Sequence, residues 1–181
     1  QWIVRSSMTR DSTLNRRLFM SVEYALEKYP LSIKTDNGLA CEIRPLSVDD
    51  ENWIKEFYLT VPEHERLFIK ERLTDGHVFH EWCEHIDVEN NLTLLVINNG
   101  KVIAEATLHQ RQGGWKSHIG LVSELTHPEF RGIGLSKILL NEIVEIGRHA
   151  GLHRLEAEFT GDRKIAIHEF AKAGFSELVR L

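Results

Sequence analysis

The chain has 181 residues, 42% of them hydrophobic, and a formal net charge of −5. That length suits one domain of ordinary size with an appendage, and the acidic balance argues against a nucleic-acid surface, which leans on Lys and Arg. Cys41 and Cys83 make no disulfide framework, no apolar run approaches the roughly 18 residues of a membrane helix, and no signal-peptide layout opens the chain. The expectation is a soluble, cytoplasmic protein with a cationic small partner and neither nucleic acid nor membrane as its target.

Residues 1–12 carry no periodic pattern and are expected to fray. From Thr13 to Tyr29, Leu14, Leu18, Phe19, Val22, Ala25, Leu26 and Tyr29 recur at spacings of three and four. That predicts an amphipathic helix, ended by Pro30. Leu31 to Thr35 and Leu39 to Arg44 read as a hairpin, because Asn37-Gly38 suits a tight primed turn. Ser47 followed by Asp49, Asp50 and Glu51 is an N-cap signal, with acids set against the positive end of a helix that runs to about Val61. Helical spacing resumes from Glu63 to Thr74 and breaks at Gly76.

The stretch His77 to His85 holds three His and a Cys. On a helix, His77, His80 and Glu84 share one face, a spacing that zinc sites use, but Cys83 points away from it and no second ligand-bearing segment with paired Cys exists. Inward packing of Phe79, Trp82 and Cys83, with His outward and no metal, is the expected outcome.

Asn91 to Ile97 and Lys101 to His109 read as strands joined through Asn98-Asn99-Gly100, and Ser117 to Thr126 as a third beyond the loop Arg111 to Trp115, in antiparallel order. A Gly-bearing loop follows, then Leu135, Ile138, Leu139, Ile143 and Ile146 mark the buried face of a helix capped by Gly151. Gly132 and Gly134 let the backbone approach a ligand, and the N–H groups that open the helix face the loop, which is a phosphate cradle. It is neither of two familiar ones: a dinucleotide turn needs Gly where Lys137 stands, and a Walker loop needs a Gly-Lys-Ser/Thr that is absent. Arg154 to Phe159 is a strand that can pair parallel to its predecessor through the helical crossover. A helix from Arg163 to Ala173, Gly174-Phe175 and a last strand to Leu181 complete the chain.

The loop resembles the pyrophosphate loop of the GCN5-related N-acetyltransferases, written R/Q-x-x-G-x-G/A. Arg131, Gly134 and Ser136 take its three marked positions, Ser standing for the last small residue. The second helix resembles the family's N-x-x-A-x-x-x-Y followed by Gly-Phe: Ala166 and Gly174-Phe175 match, while Arg163 stands at the Asn position and Phe170 at the Tyr position. The resemblance covers about residues 40 to 181, which sets residues 1–39 apart as an N-terminal extension whose expected role is packing or contact with a second copy in a homodimer.

The resemblance implies an α/β fold, with a mixed, strongly twisted sheet covered by helices on both faces. The strands ending at Thr126 and Phe159 would start together and splay apart, and the pantetheine arm of acetyl-CoA would lie between them. The pyrophosphate would rest on Gly132, Ile133, Gly134, Leu135, Ser136 and Lys137, beside Arg131, with Leu125 and Thr126 near the thioester and Phe170 at the cofactor. The implied activity is acyl transfer, most simply of acetyl, to a primary amine of a small molecule or a protein, in a pocket built by residues 46–90 and the loop Arg111 to Lys116. An alkylammonium must lose a proton before it attacks. Glu124 is the first candidate base, with His127 and Glu158 behind it, and a backbone N–H near Leu125 can polarise the carbonyl. Phe170 has no proton for the departing thiolate; His168 is an alternative donor, and a protein that binds acyl-CoA without turnover is the alternative function. The chain ends soon after Gly174-Phe175, where many members add a strand, so that sheet edge is open, completed by a partner, or lost with residues beyond the sequence.

Overall fold

The structure is a computed structural model that describes residues 2–7, 22–66, 77–110, 113–114, 116–159 and 163–180. In chain order its elements are β1 (Trp2–Ser7), α1 (Val22–Leu26), β2 (Leu31–Lys34), β3 (Ala40–Pro45), α2 (Glu51–Thr60), α3 (Glu63–Arg66), α4 (His77–Glu84), β4 (Asn91–Asn98), β5 (Lys101–Gln110), β6 (Ile119–Thr126), α5 (Leu135–His149), β7 (Arg154–Phe159), α6 (Lys164–Lys172) and β8 (Ser176–Arg180). The strands form one mixed sheet in the order β2-β3-β4-β5-β6-β7-β1-β8. Among the described strands only β6 and β7 pair parallel.

Helices cover both faces, so the central strands are buried on both sides and read as near-continuous apolar runs. Leu94 and Val96 face a core shared with Leu139, Ile143 and Ile146 of α5 and Phe170 of α6. Leu95 faces a second core with Ile54, Phe57 and Tyr58 of α2 and Phe79 and Cys83 of α4. Ser47 closes a capping box with Asp50, whose carboxylate also takes two Arg44 nitrogens at 2.6 Å. In α4, Phe79 and Cys83 are buried as the periodicity requires, and His80 is held outside, 2.9 Å from Glu51 and 3.4 Å from Glu84.

Two expectations are corrected. Residues 2–7 do not fray: β1 lies between β7 and β8, antiparallel to both, with Val4 2% exposed. Six residues hold too short a pattern to read, and two flanking strands supply what local sequence cannot. The same insertion supplies a neighbour for β8 from within the chain, where the sequence left an edge unexplained. The hairpin of β2 and β3 turns through a wider loop, since Lys34 pairs with Ala40; Thr35 Oγ1 accepts from the Leu39 N–H at 3.0 Å and Gly38 takes φ 84°. Of the helix expected over 13–29, Val22–Leu26 is seen and 13–21 lies outside the described residues, as do residues 67–74 of the helical run expected from Glu63 and most of the loop from Arg111.

Candidate active site

β6 and β7 stay paired only from Ile119↔Arg154 to Leu121↔Glu156 and then part. Beyond that point β6 remains bound to β5 as far as Thr126, and β7 remains bound to β1 as far as Phe159. The inner edges of both strands are therefore left facing each other without a ladder. Alternation identifies which groups turn inward: the His127 N–H bonds the Ile103 carbonyl at 2.9 Å, so odd residues of β6 face β5 and even ones face β7, and past the last paired position, Leu121↔Glu156, the Val122 carbonyl and the Glu124 backbone are left facing the wedge. Leu125 itself pairs with Glu105, so an N–H that polarises a carbonyl in the wedge belongs to its neighbours.

At the open end of the wedge, the loop after β6 delivers the N-terminus of α5. Gly134 is the N-cap at φ 87°, and the first intrahelical bond runs from the Ile138 N–H to its carbonyl at 3.1 Å. The N–H groups of Leu135, Ser136 and Lys137 precede that bond and have no carbonyl one turn back. A Cβ on Gly134 would lie 2.6 Å from the Asp36 carboxylate, because the β2–β3 loop docks here through the Asp36 N–H on the Ile133 carbonyl at 3.0 Å. These groups fit a pyrophosphate by the chemistry of an anion at a helix N-terminus.

A cleft of about 980 Å³ runs from the wedge across the α2 and α4 side of the sheet. Leu125, Glu124, Glu158 and Phe159 line its wedge end, and Tyr58, Trp82, Thr93 and Thr107 its far wall. Glu65 of α3 reaches in, with both oxygens 2.9 Å from the Arg131 guanidinium and one 3.4 Å from that of Arg163. The Arg131 Nε also donates to the Thr126 carbonyl at 3.3 Å, so the arginine of the loop motif is tied to the wedge strand.

Of the three candidate bases, Glu124 and Glu158 line the cleft and His127 does not. Glu124 is 9% exposed and turned toward α5, with Oε1 accepting from Thr126 at 2.6 Å and Ser136 at 3.0 Å. Burial raises its pKa, against the pull of those two hydroxyls and of Arg163 and Arg131. Glu158 is exposed on β7. His127 caps the turn Pro128–Phe130, its Nδ1 accepting from the Glu129 N–H at 3.1 Å. Phe170 is fully buried in the core, edge-on to Phe159 at 4.8 Å and Phe175 at 5.0 Å, and does not line the cleft; His168 is exposed on α6.

One group went unread in the sequence. Glu105 of β5 is 1% exposed and faces the α2 side opposite Leu125. Tyr58 donates to its Oε1 and Thr107 to its Oε2, each at 3.0 Å, and Thr107 lies 2.8 Å from Thr93. Burial pushes its carboxyl up to about 8, with Glu124 adding to the rise and the two hydroxyls opposing it. A Glu between Ala104 and Ala106, in a strand covered on both faces, was the available signal.

Diverging parallel strands beside a glycine-bearing helix N-terminus, opening on a deep cleft, define the acyl-CoA-dependent acyltransferase architecture. The profile of the acetyltransferase (GNAT) family matches residues 51–175, and the chain belongs to that family. Among solved structures it is similar to the GNAT domain of S. lividans PAT, with 21% identity, a TM-score of 0.72 and cover of 81% of this chain and 87% of that one. It is likewise similar to yncA of Salmonella typhimurium, a putative acetyltransferase solved with acetyl-CoA, at 23% identity, TM-score 0.62, and 75% and 79% cover. The ribosomal-protein-S5-alanine acetyltransferase of Vibrio fischeri has 15% identity, TM-score 0.66, and 81% and 83% cover. Curated protein sequences return no match.

Proposed function

We propose that the protein is a cytoplasmic N-acyltransferase that moves an acetyl group from acetyl-CoA to a primary amine by direct attack within a ternary complex. The observation that carries this reading is the early parting of β6 and β7 directly beside the bare N-terminus of α5. Acetyl-CoA supplies the activated acyl group. The chain's own part is to pair an extended arm with the backbone of Val122 and Glu124, to hold a pyrophosphate on Leu135 to Lys137, and to present the amine from the α2 and α4 side.

An amine acceptor suits the cleft, whose walls carry Glu81, Asp87, Glu156 and Glu158 against Lys116 and the Arg163 already engaged by Glu65. A second reading, an acyl-CoA-binding module without turnover, is favoured by one observation: the family's proton-donating Tyr is replaced by Phe170, which sits in the core. The test is calorimetric titration with acetyl-CoA, followed in the same samples by detection of free thiol with a panel of amines. Binding with amine-dependent thiol release is the expected result. Binding without release would favour the module, and no binding by folded protein would overturn both.

A further inference from the structure

Glu105 is a carboxylate built into the wall of the cleft without reaching it. It does not line the cleft, yet Tyr58 and Thr107, whose hydroxyls bond its two oxygens, are among the lining residues, as is Thr93 behind Thr107. In its ionised form Glu105 only accepts, so Tyr58 and Thr107 then donate to it. With its one proton spent there, Thr107 can only accept from Thr93. Every O–H along both routes therefore points from the cleft toward Glu105. Among the described residues no cation pairs with this carboxylate, and burying one without a cation is costly. Packing alone would be better served by an apolar side chain.

We propose that these oriented hydroxyls carry the acceptor's proton from the cleft to Glu105, with Tyr58 as the group that touches the amine. This assignment rests on the acyltransferase reading above. As the ammonium gives a proton to the Tyr58 oxygen, the Tyr58 O–H proton passes to Glu105. A neutral amine, a neutral tyrosine and a carboxylic acid remain. The amine nitrogen then forms its bond to the thioester carbon and the C–S bond breaks. The nitrogen's surplus proton goes to the departing sulfur, and Glu105 returns its own to solvent through the same hydroxyls. One alkylammonium and one thioester thus become one amide, one thiol and one released proton. Thr107, backed by Thr93, holds the other oxygen of Glu105, and Glu105 itself acts through Tyr58 and positions the proton rather than touching substrate.

Among the described residues, the titratable groups packed about Glu105 are few. Tyr58 comes from α2; Cys83 of α4 lies in the same cluster, kept a thiol because burial pushes it up to about 11; Glu124 of β6 is turned toward α5 and disfavours a second charge. Held up to about 8, Glu105 is poised to exchange a proton near neutral pH, where acid–base groups work best.

The experiment measures kcat/KM against pH for wild type, Glu105→Gln and Tyr58→Phe, with an alkylamine and with an amine already neutral at pH 7, such as an arylamine or hydrazide. For the alkylamine, both variants are expected to lose roughly 100-fold at pH 7.5 and the limb that rises through about pH 8. Acetyl-CoA affinity should stay within about two-fold, and the neutral amine should be used nearly as well as by wild type, since it has no proton to surrender. An equal loss for both amines would make the cluster merely structural and sink the relay. So would an unshifted profile in Glu105→Gln. Should that variant not fold, Tyr58→Phe decides alone, because it leaves Glu105 bonded to Thr107. Absence of thiol release by wild type with any amine would instead sink the acyltransferase reading, and the relay with it.

Discussion

Ser136, in the first turn of α5, donates its hydroxyl to Glu124 of β6 at 3.0 Å, so the helix end that forms the cradle is tied to the strand that forms the wedge. Thr126 donates to the same oxygen at 2.6 Å. The result is a buried carboxylate one side chain away from backbone N–H groups suited to an anion.

This arrangement predicts a pH dependence of cofactor binding. Burial already raises the pKa of Glu124, and an anion on the cradle raises it further, so binding takes up a proton and weakens as pH rises through the titration of Glu124. Calorimetry with acetyl-CoA across the pH range in which the protein stays folded should show a smaller pH effect for Glu124→Gln than for wild type. Equal pH effects in the two proteins would show that Glu124 does not sense the phosphates.

Gly134→Val should abolish measurable acetyl-CoA binding, a loss of at least about 100-fold. The residue sits at φ 87° and its Cβ would meet the Asp36 carboxylate at 2.6 Å, so loop and hairpin must both move. A β-branched residue held in that conformation costs about 1–3 kcal/mol. Thermal denaturation alongside the titration separates lost binding from lost folding.

Phe170→Tyr, which restores the family residue, should not raise kcat. The ring is fully buried between Phe159 and Phe175 and does not line the cleft. A hydroxyl placed there has no partner in the aromatic cluster, and the variant should lose about 1–3 kcal/mol of stability. A faster enzyme of unchanged stability would show that the ring reaches the thiolate after all.

Glu105 couples stability to pH. Its carboxyl titrates at about 8 in the folded chain and near the ordinary value of about 4.3 when unfolded, so the folded state holds the proton more tightly. The stability this brings is complete below about pH 4 and is lost as pH rises to about 8. Glu105→Gln should therefore melt above wild type at pH 8, by about 2–4 °C for each kcal/mol in a chain of this size, and the gap should narrow toward pH 5. Calorimetric melts across that range check the slope.

Much of the architecture was legible because it rests on local chemistry. Pro30, Pro62 and Gly151 end helices wherever they stand, and the periodicity of Leu135 to Ile146 required one buried face. Less legible was anything set by distant neighbours. The strand at Trp2 exists because β7 and β8 flank it. Glu65 meets Arg131 and Arg163 only once α3 is folded over the wedge. Phe170 looked like a cofactor contact from its place in a motif, but packing turned it into the core.

The sequence by itself determined the class of site: a glycine loop opening a helix after a strand, in an order that phosphate binding requires and that hydrogen-bond geometry makes readable residue by residue. Tertiary structure decided the chemistry within it. Whether a carboxylate is a solvated ornament or a buried proton acceptor depends on what surrounds it. Glu105 became the latter only when α2 brought the Tyr58 hydroxyl across to β5. A pKa is a property of surroundings assembled from remote parts of the chain, and no local pattern encodes it.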